Sequence, residues 1–189
     1  ARNTEVVSDA TNVLALECAL RRRQLLQTQA KSVENVHLAA SHRLLRAQKY
    51  DDPNASAHFR LFTLCSAGRD QGNLRFEFTM LMFQIRFYLR SLRTFLGAEV
   101  PLQLSVSDFS TKNLDEAIEN QLFIPLQNEF TNLDCVLDNA RAGGRNYYQD
   151  LCFKIYAKTL IGDFLELADG GSVDWTQKLL SNAKERLII

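Results

Sequence analysis

Arg46 and Gln48 stand two residues apart in an alternating run, so a strand there sets both on one face. The same period puts Phe59, Leu61, Thr63 and Cys65 on one face of the following run. Taken alone, Arg46 reads as a strand arginine beside Asp51 and Asp52, and Phe59, Tyr147 and Tyr148 read as strand aromatics. Asp9 and Thr11 have the spacing of a helix N-cap pair. Nucleophile and metal chemistry find less support. His37, His42 and His58 lie over two predicted strands without acids at ligand spacing, so no protein-bound metal is expected. His58 and Cys65 differ by an odd number and face opposite sides of one strand. Gly68, Gly143-Gly144 and Gly170-Gly171 do not open a helix with the spacing of a phosphate loop.

The elements that must position these residues follow from periodicity. Val13, Leu14, Leu16, Ala19, Leu20, Leu25 and Leu26 predict an amphipathic helix over 10–31, with Arg21, Arg22 and Arg23 on a solvated face. Strands are predicted over 36–48 and 57–67, joined by a loop rich in turn formers. A helix over 74–96 stopped by Gly97 and a strand over 101–109 come next. Two helices broken near Pro125 are expected in 113–139, and strands over 145–158 and 160–167. Asp169-Gly170-Gly171 reads as a turn into a short helix at 175–180, and 184–189 as a last strand. The fold class is therefore α+β, a mostly antiparallel sheet flanked by helices, in a single domain spanning 1–189.

Composition narrows the field. The 189 residues carry 22 basic and 22 acidic side chains, which excludes recruitment of nucleic acid by bulk charge. The charge is uneven: residues 1–50 hold eight Lys or Arg against four acids, and residues 101–140 one Lys against seven. Cys18, Cys65, Cys135 and Cys152 form no CxxC pair and no leader-like segment opens the chain, so reduced thiols and a cytoplasmic location are expected. Glu77, Gln84, Arg86, Arg90 and Arg93 interrupt the most apolar stretch, so no membrane segment is expected. The helix over 74–96 nonetheless carries apolar residues on more than one face, from Phe76 to Leu96, which predicts a partner surface.

Five strings, in chain order, resemble the catalytic core of class II aminoacyl-tRNA synthetases of the histidyl branch and its paralogues. V-V-S-D-A-T at Val6–Thr11 is similar to L-R-P-D/E-x-T, and S-H-R-L-L-R-A-Q at Ser41–Gln48 to G-P-V-F-R-Y-E. H-F-R-L-F-T-L-C-S-A-G at His58–Gly68 resembles E-F-H-Q-F-G-V-E-V-F-G. G-G-R-N-Y-Y-Q-D-L-C-F-K-I at Gly143–Ile155 resembles R-G-L-D-Y-Y-T-G-x-x-F-E-I, and A-D-G-G-S-V-D-W-T-Q-K-L-L at Ala168–Leu180 resembles G-G-G-R-Y-D-x-L-x-x-x-L.

The resemblance implies an adenylate-forming site that binds ATP with Mg. It sets Arg46 at the α-phosphate as the catalytic cation, Gln48 at the adenine amino group and Phe59 against the purine. Asp9, Thr11, Tyr147 and Tyr148 would meet the substrate, as would the positions of Leu61 and Cys65. There the family's Gln and Glu are missing, so histidine is not the expected substrate. Gly143 replaces the Arg that opens the fourth string, and Arg141 or Arg145 would have to serve by a shift of two. Neither the family's first signature nor its third, with a second catalytic Arg, is seen, so a portion of a longer chain is expected.

These departures imply a paralogue without histidine specificity. It would act as a nucleotide- or metabolite-binding regulatory or assembly subunit, like the synthetase-like subunit of ATP phosphoribosyltransferase. The alternative is a ligase activating a different small carboxylate with ATP. A homodimer or larger assembly through the 74–96 helix is expected by the same resemblance, while contact with tRNA stays open.

Overall fold

The computed structural model describes residues 7, 9–46 and 56–189. Gln48, Asp51 and Asp52 lie outside the described residues, and so do Val6 and Ser8 of the first string. The elements in order are α1 (Ala10–Thr28), β1 (Val36–Leu45), β2 (His58–Arg69), α2 (Arg75–Leu96), β3 (Leu102–Asp108) and α3 (Asp115–Ile118). A π-helical turn (Glu119–Phe123), α4 (Ile124–Glu129), β4 (Leu133–Leu137), β5 (Leu151–Lys158), β6 (Phe164–Val173), α5 (Trp175–Leu180) and β7 (Glu185–Ile188) complete them. They fall into two compact units, one of residues 1–69 with 175–187 and 189, the other of 70–174 with 188.

In the first unit β1 and β2 pair antiparallel from Val36 opposite Ala67 to Leu45 opposite His58, and β7 lies beside β2. Helix α1 packs on both β1 and β2 through small residues, Ala10, Ala15, Cys18 and Ala19, which allow close approach. Here the expected stripe is wrong. Val13, Leu16 and Leu20 are exposed, and Arg22 from the predicted solvated run is fully buried. Its guanidinium donates to both Glu185 carboxylate oxygens, at 2.7 and 2.9 Å, and to the carbonyls of Ser32 and Glu34. A buried cation is tolerated because each charge has a partner and spare donors meet carbonyls.

In the second unit the strand order is β6-β5-β3-β4, antiparallel except for the parallel pair β3–β4. Phe76, Leu81, Ile85 and Leu89 of α2 join Leu104 and Val106 of β3 and Phe153 and Ile155 of β5 in one buried cluster. Gly97, at φ 92°, ends α2 and donates its N–H to the Arg93 carbonyl, as the sequence predicts.

Four expectations fail here. Pro125 does not break the helix, because the preceding π turn widens the chain and places proline in the first turn of α4, where its missing N–H is tolerated. Residues 133–137, read as helix, form β4. The strand expected from Arg145 begins only at Leu151, because Tyr147 and Tyr148 both donate N–H to the Gly144 carbonyl in a turn. Asp169-Gly170-Gly171 lies inside β6, with Gly171 opposite Cys152. A side chain at Gly171 would sit 2.6 Å from the Leu151 carbonyl oxygen, so that glycine serves close strand packing.

Candidate functional site

Each unit gathers part of the expected residue set. In the first, the N-cap of α1 and the end of β1 converge. Asp9 is the N-cap: its Oδ1 accepts from the Thr11 N–H at 2.8 Å and from the Thr11 hydroxyl at 2.5 Å. Its Oδ2 lies 3.9 Å from Arg46, which is a loose and partly exposed ion pair. Arg46 follows β1 and keeps the ladder one residue longer by donating its N–H to the Ala57 carbonyl at 2.9 Å. Its guanidinium carbon stands 5.2 Å from the centroid of the Phe59 ring, a cation–π distance. The cation, the ring and the carboxylate thus share one corner.

The alternation along β2 holds as the sequence predicts. Phe59 and Leu61 are half-buried, Thr63 and Cys65 are buried, and His58, Arg60 and Phe62 are exposed. Burial pushes the Cys65 thiol up, with smaller upward contributions from Cys18 and Asp9, and Cys18 is pushed up to about 12 mainly by burial. Both are therefore neutral thiols at pH 7 and not nucleophiles. Between Phe59 and Cys65 this face offers a ligand one hydroxyl, Thr63, and otherwise apolar surface.

In the second unit the turn at 141–148 holds the two arginines in different settings. Arg141 is buried and donates to both Asp169 oxygens, at 3.0 and 3.1 Å, and to the Gly143 carbonyl at 2.9 Å. Tyr148, 7% exposed, lies 5.5 Å from the same guanidinium. Burial first and the Asp169 charge second hold its phenol above the usual range. Arg145 is exposed, sits 4.7 Å from the Phe109 ring and donates Nε–H to the Arg141 carbonyl at 3.2 Å. Tyr147 is 39% exposed and stands edge-on to Tyr148, with centroids 5.0 Å apart. Arg141, Asp169 and Tyr148 fix the turn, while Arg145 and Tyr147 are the groups it presents.

The sequence reading missed Asp169 and Phe109. Asp169 was placed in a turn, and its partner Arg141 lies 28 residues away with no local signal to join them.

The structure matches apo histidyl-tRNA synthetase from S. aureus with a TM-score of 0.60 at 15% identity, over 96% of this chain and 47% of that one. It also matches a structure described as the RNA binding domain of threonyl-tRNA synthetase from Cryptosporidium parvum Iowa II. There the TM-score is 0.52 at 11% identity, over 89% of this chain and 44% of that one. The fold is class II aminoacyl-tRNA synthetase-like. The chain spans about half the length of the synthetase structures it matches. No family model and no curated protein matches the sequence.

Proposed function

We propose that the chain is a synthetase-like paralogue without histidine specificity that binds a nucleotide or related anionic metabolite and acts as a regulatory or assembly subunit. The observation that carries this reading is the approach of Arg46 to the Phe59 ring, with Asp9 alongside. A guanidinium neutralises a phosphate and an adjacent aromatic face stacks on a purine. Arg46 leaves Phe59 when both are engaged by ligand, and its loose, partly exposed ion pair with Asp9 costs little to open. The fit with ATP is through these side chains, and Mg arrives on the phosphates. Among the described residues no group of three His, Cys, Asp or Glu could hold a metal.

The loss of turnover rests on the other end of the same face. Leu61 and the neutral, buried Cys65 provide no anionic acceptor for an ammonium or imidazolium group. The test is MgATP titration followed by ATP–pyrophosphate exchange over a panel of carboxylates. Binding without exchange is expected, and exchange with any small acid would establish the ligase alternative instead.

A further inference from the structure

The turn that joins β5 to β6 carries side chains of an unusual kind for its place. The Gly162 N–H donates to the Thr159 carbonyl at 3.0 Å, the Thr159 N–H donates to the Asp163 carbonyl at 2.7 Å, and Gly162 takes φ 98°. These bonds make a compact three-residue hairpin loop, whose leading positions ordinarily hold polar turn formers. Here they hold Leu160 and Ile161, which are 108% and 86% exposed. Two branched aliphatic side chains therefore stand clear of the surface on a turn that its own hydrogen bonds keep in shape.

Behind this tip comes a mixed collar. Phe164 lies opposite Lys158 in the β5–β6 ladder, two strand steps or about 7 Å back from the tip, and both are exposed. Asp163 is exposed beside them, while the next basic residue, Lys154, is drawn onto Glu166 at 2.6 Å. The collar thus offers one aromatic ring, one cation and one anion, with no net charge.

We propose that the β5–β6 tip is a membrane-contact element: Leu160 and Ile161 enter the surface of a bilayer of zwitterionic lipid, and Lys158, Asp163 and Phe164 lie among its headgroups. The setback of the collar matches the roughly 5–10 Å to which an apolar surface element sinks into the boundary between headgroups and acyl chains. Lys158 then meets lipid phosphate and Asp163 meets the lipid ammonium, so the balanced charge of the collar is complementary to a headgroup carrying both signs. A protein partner fits less well. Two convex side chains fall far short of the roughly 800 Å² that each side of a stable protein interface buries, and the tip has none of the Trp, Tyr or Arg that dominate such contacts. A fluid bilayer needs no matching pocket. The contact is made from outside, since no helix among the described residues is long and apolar enough to cross a membrane.

Flotation with phosphatidylcholine vesicles tests the proposal. At millimolar lipid a measurable fraction of the chain is expected to float, and Leu160→Ser combined with Ile161→Ser should lower the partition coefficient roughly tenfold or more. Both positions are exposed, so circular dichroism of that variant should be unchanged. Added salt, or phosphatidylserine in the vesicles, should alter binding little, unlike adsorption driven by charge. Orientation has its own readout in a Cys135→Ser background. An environment-sensitive fluorophore on Leu160→Cys should shift to the blue with vesicles, and the same fluorophore on Lys112→Cys, beyond the opposite end of β3, should not. Arg46→Ala should float like the parent chain, which separates this inference from the nucleotide reading. No flotation, flotation indifferent to the double substitution, binding abolished by salt, or equal shifts at both labelled positions would overturn it.

Discussion

Charged residues buried in pairs make the sharpest demands on this chain. Arg22 and Glu185 are both fully buried and hydrogen-bonded twice to each other. Arg22→Met strands a carboxylate, and a loss of about 3–5 kcal/mol in unfolding free energy is expected from urea denaturation. Arg22→Met with Glu185→Leu should recover most of it, because no charge is then left without its mate. Tyr148 gives a pH signature. Burial and Asp169 raise its phenol, so the folded state holds that proton more tightly than the unfolded chain does. The stabilisation is full below the ordinary phenol value of about 10 and is lost as pH climbs toward the folded value. Absorbance titration should show one tyrosine ionising late in the native protein, and Tyr148→Phe should remove it.

At the scale of elements, glycine geometry separates two roles. Gly171 packs against the Leu151 carbonyl within the β5–β6 pair, so Gly171→Ala forces the strands apart at a cost of about 1–3 kcal/mol. Gly144 has φ 89°, and an added Cβ would meet the Tyr148 ring at 3.0 Å, so Gly144→Ala should loosen the turn that presents Arg145 and Tyr147. Thermal melts, with Tyr147 and Tyr148 near-ultraviolet dichroism, would check both. The period-2 faces of β1 and β2 and both ends of α2 were legible in the sequence, because alternation and a stop glycine are local signals. The face of α1 was not, because Ala10, Ala15, Cys18 and Ala19 pack closely where larger Val13 and Leu16 do not fit, and Glu185 neutralises Arg22 from 163 residues away. Gly171, which serves close strand packing, looks like a turn glycine in one dimension.

For the whole molecule, the order of five weak strings led to a class II synthetase-like fold, and the structural likeness supports that fold at 15% identity and below. The site was legible in part. Arg46 and Phe59, which the resemblance named together, lie within cation–π distance of each other. The division of labour between Arg141 and Arg145 was not legible, since it depends on Asp169 from another strand. No helix among the described residues is long and apolar enough to cross a membrane. The central claim is that Arg46 is the phosphate-binding cation of a nucleotide site. Calorimetric titration of MgATP into the chain and into Arg46→Ala tests it most directly. Saturable binding that falls at least about tenfold in the variant is predicted, as for loss of a charge-assisted contact. No binding to either protein, or equal binding to both, would contradict it.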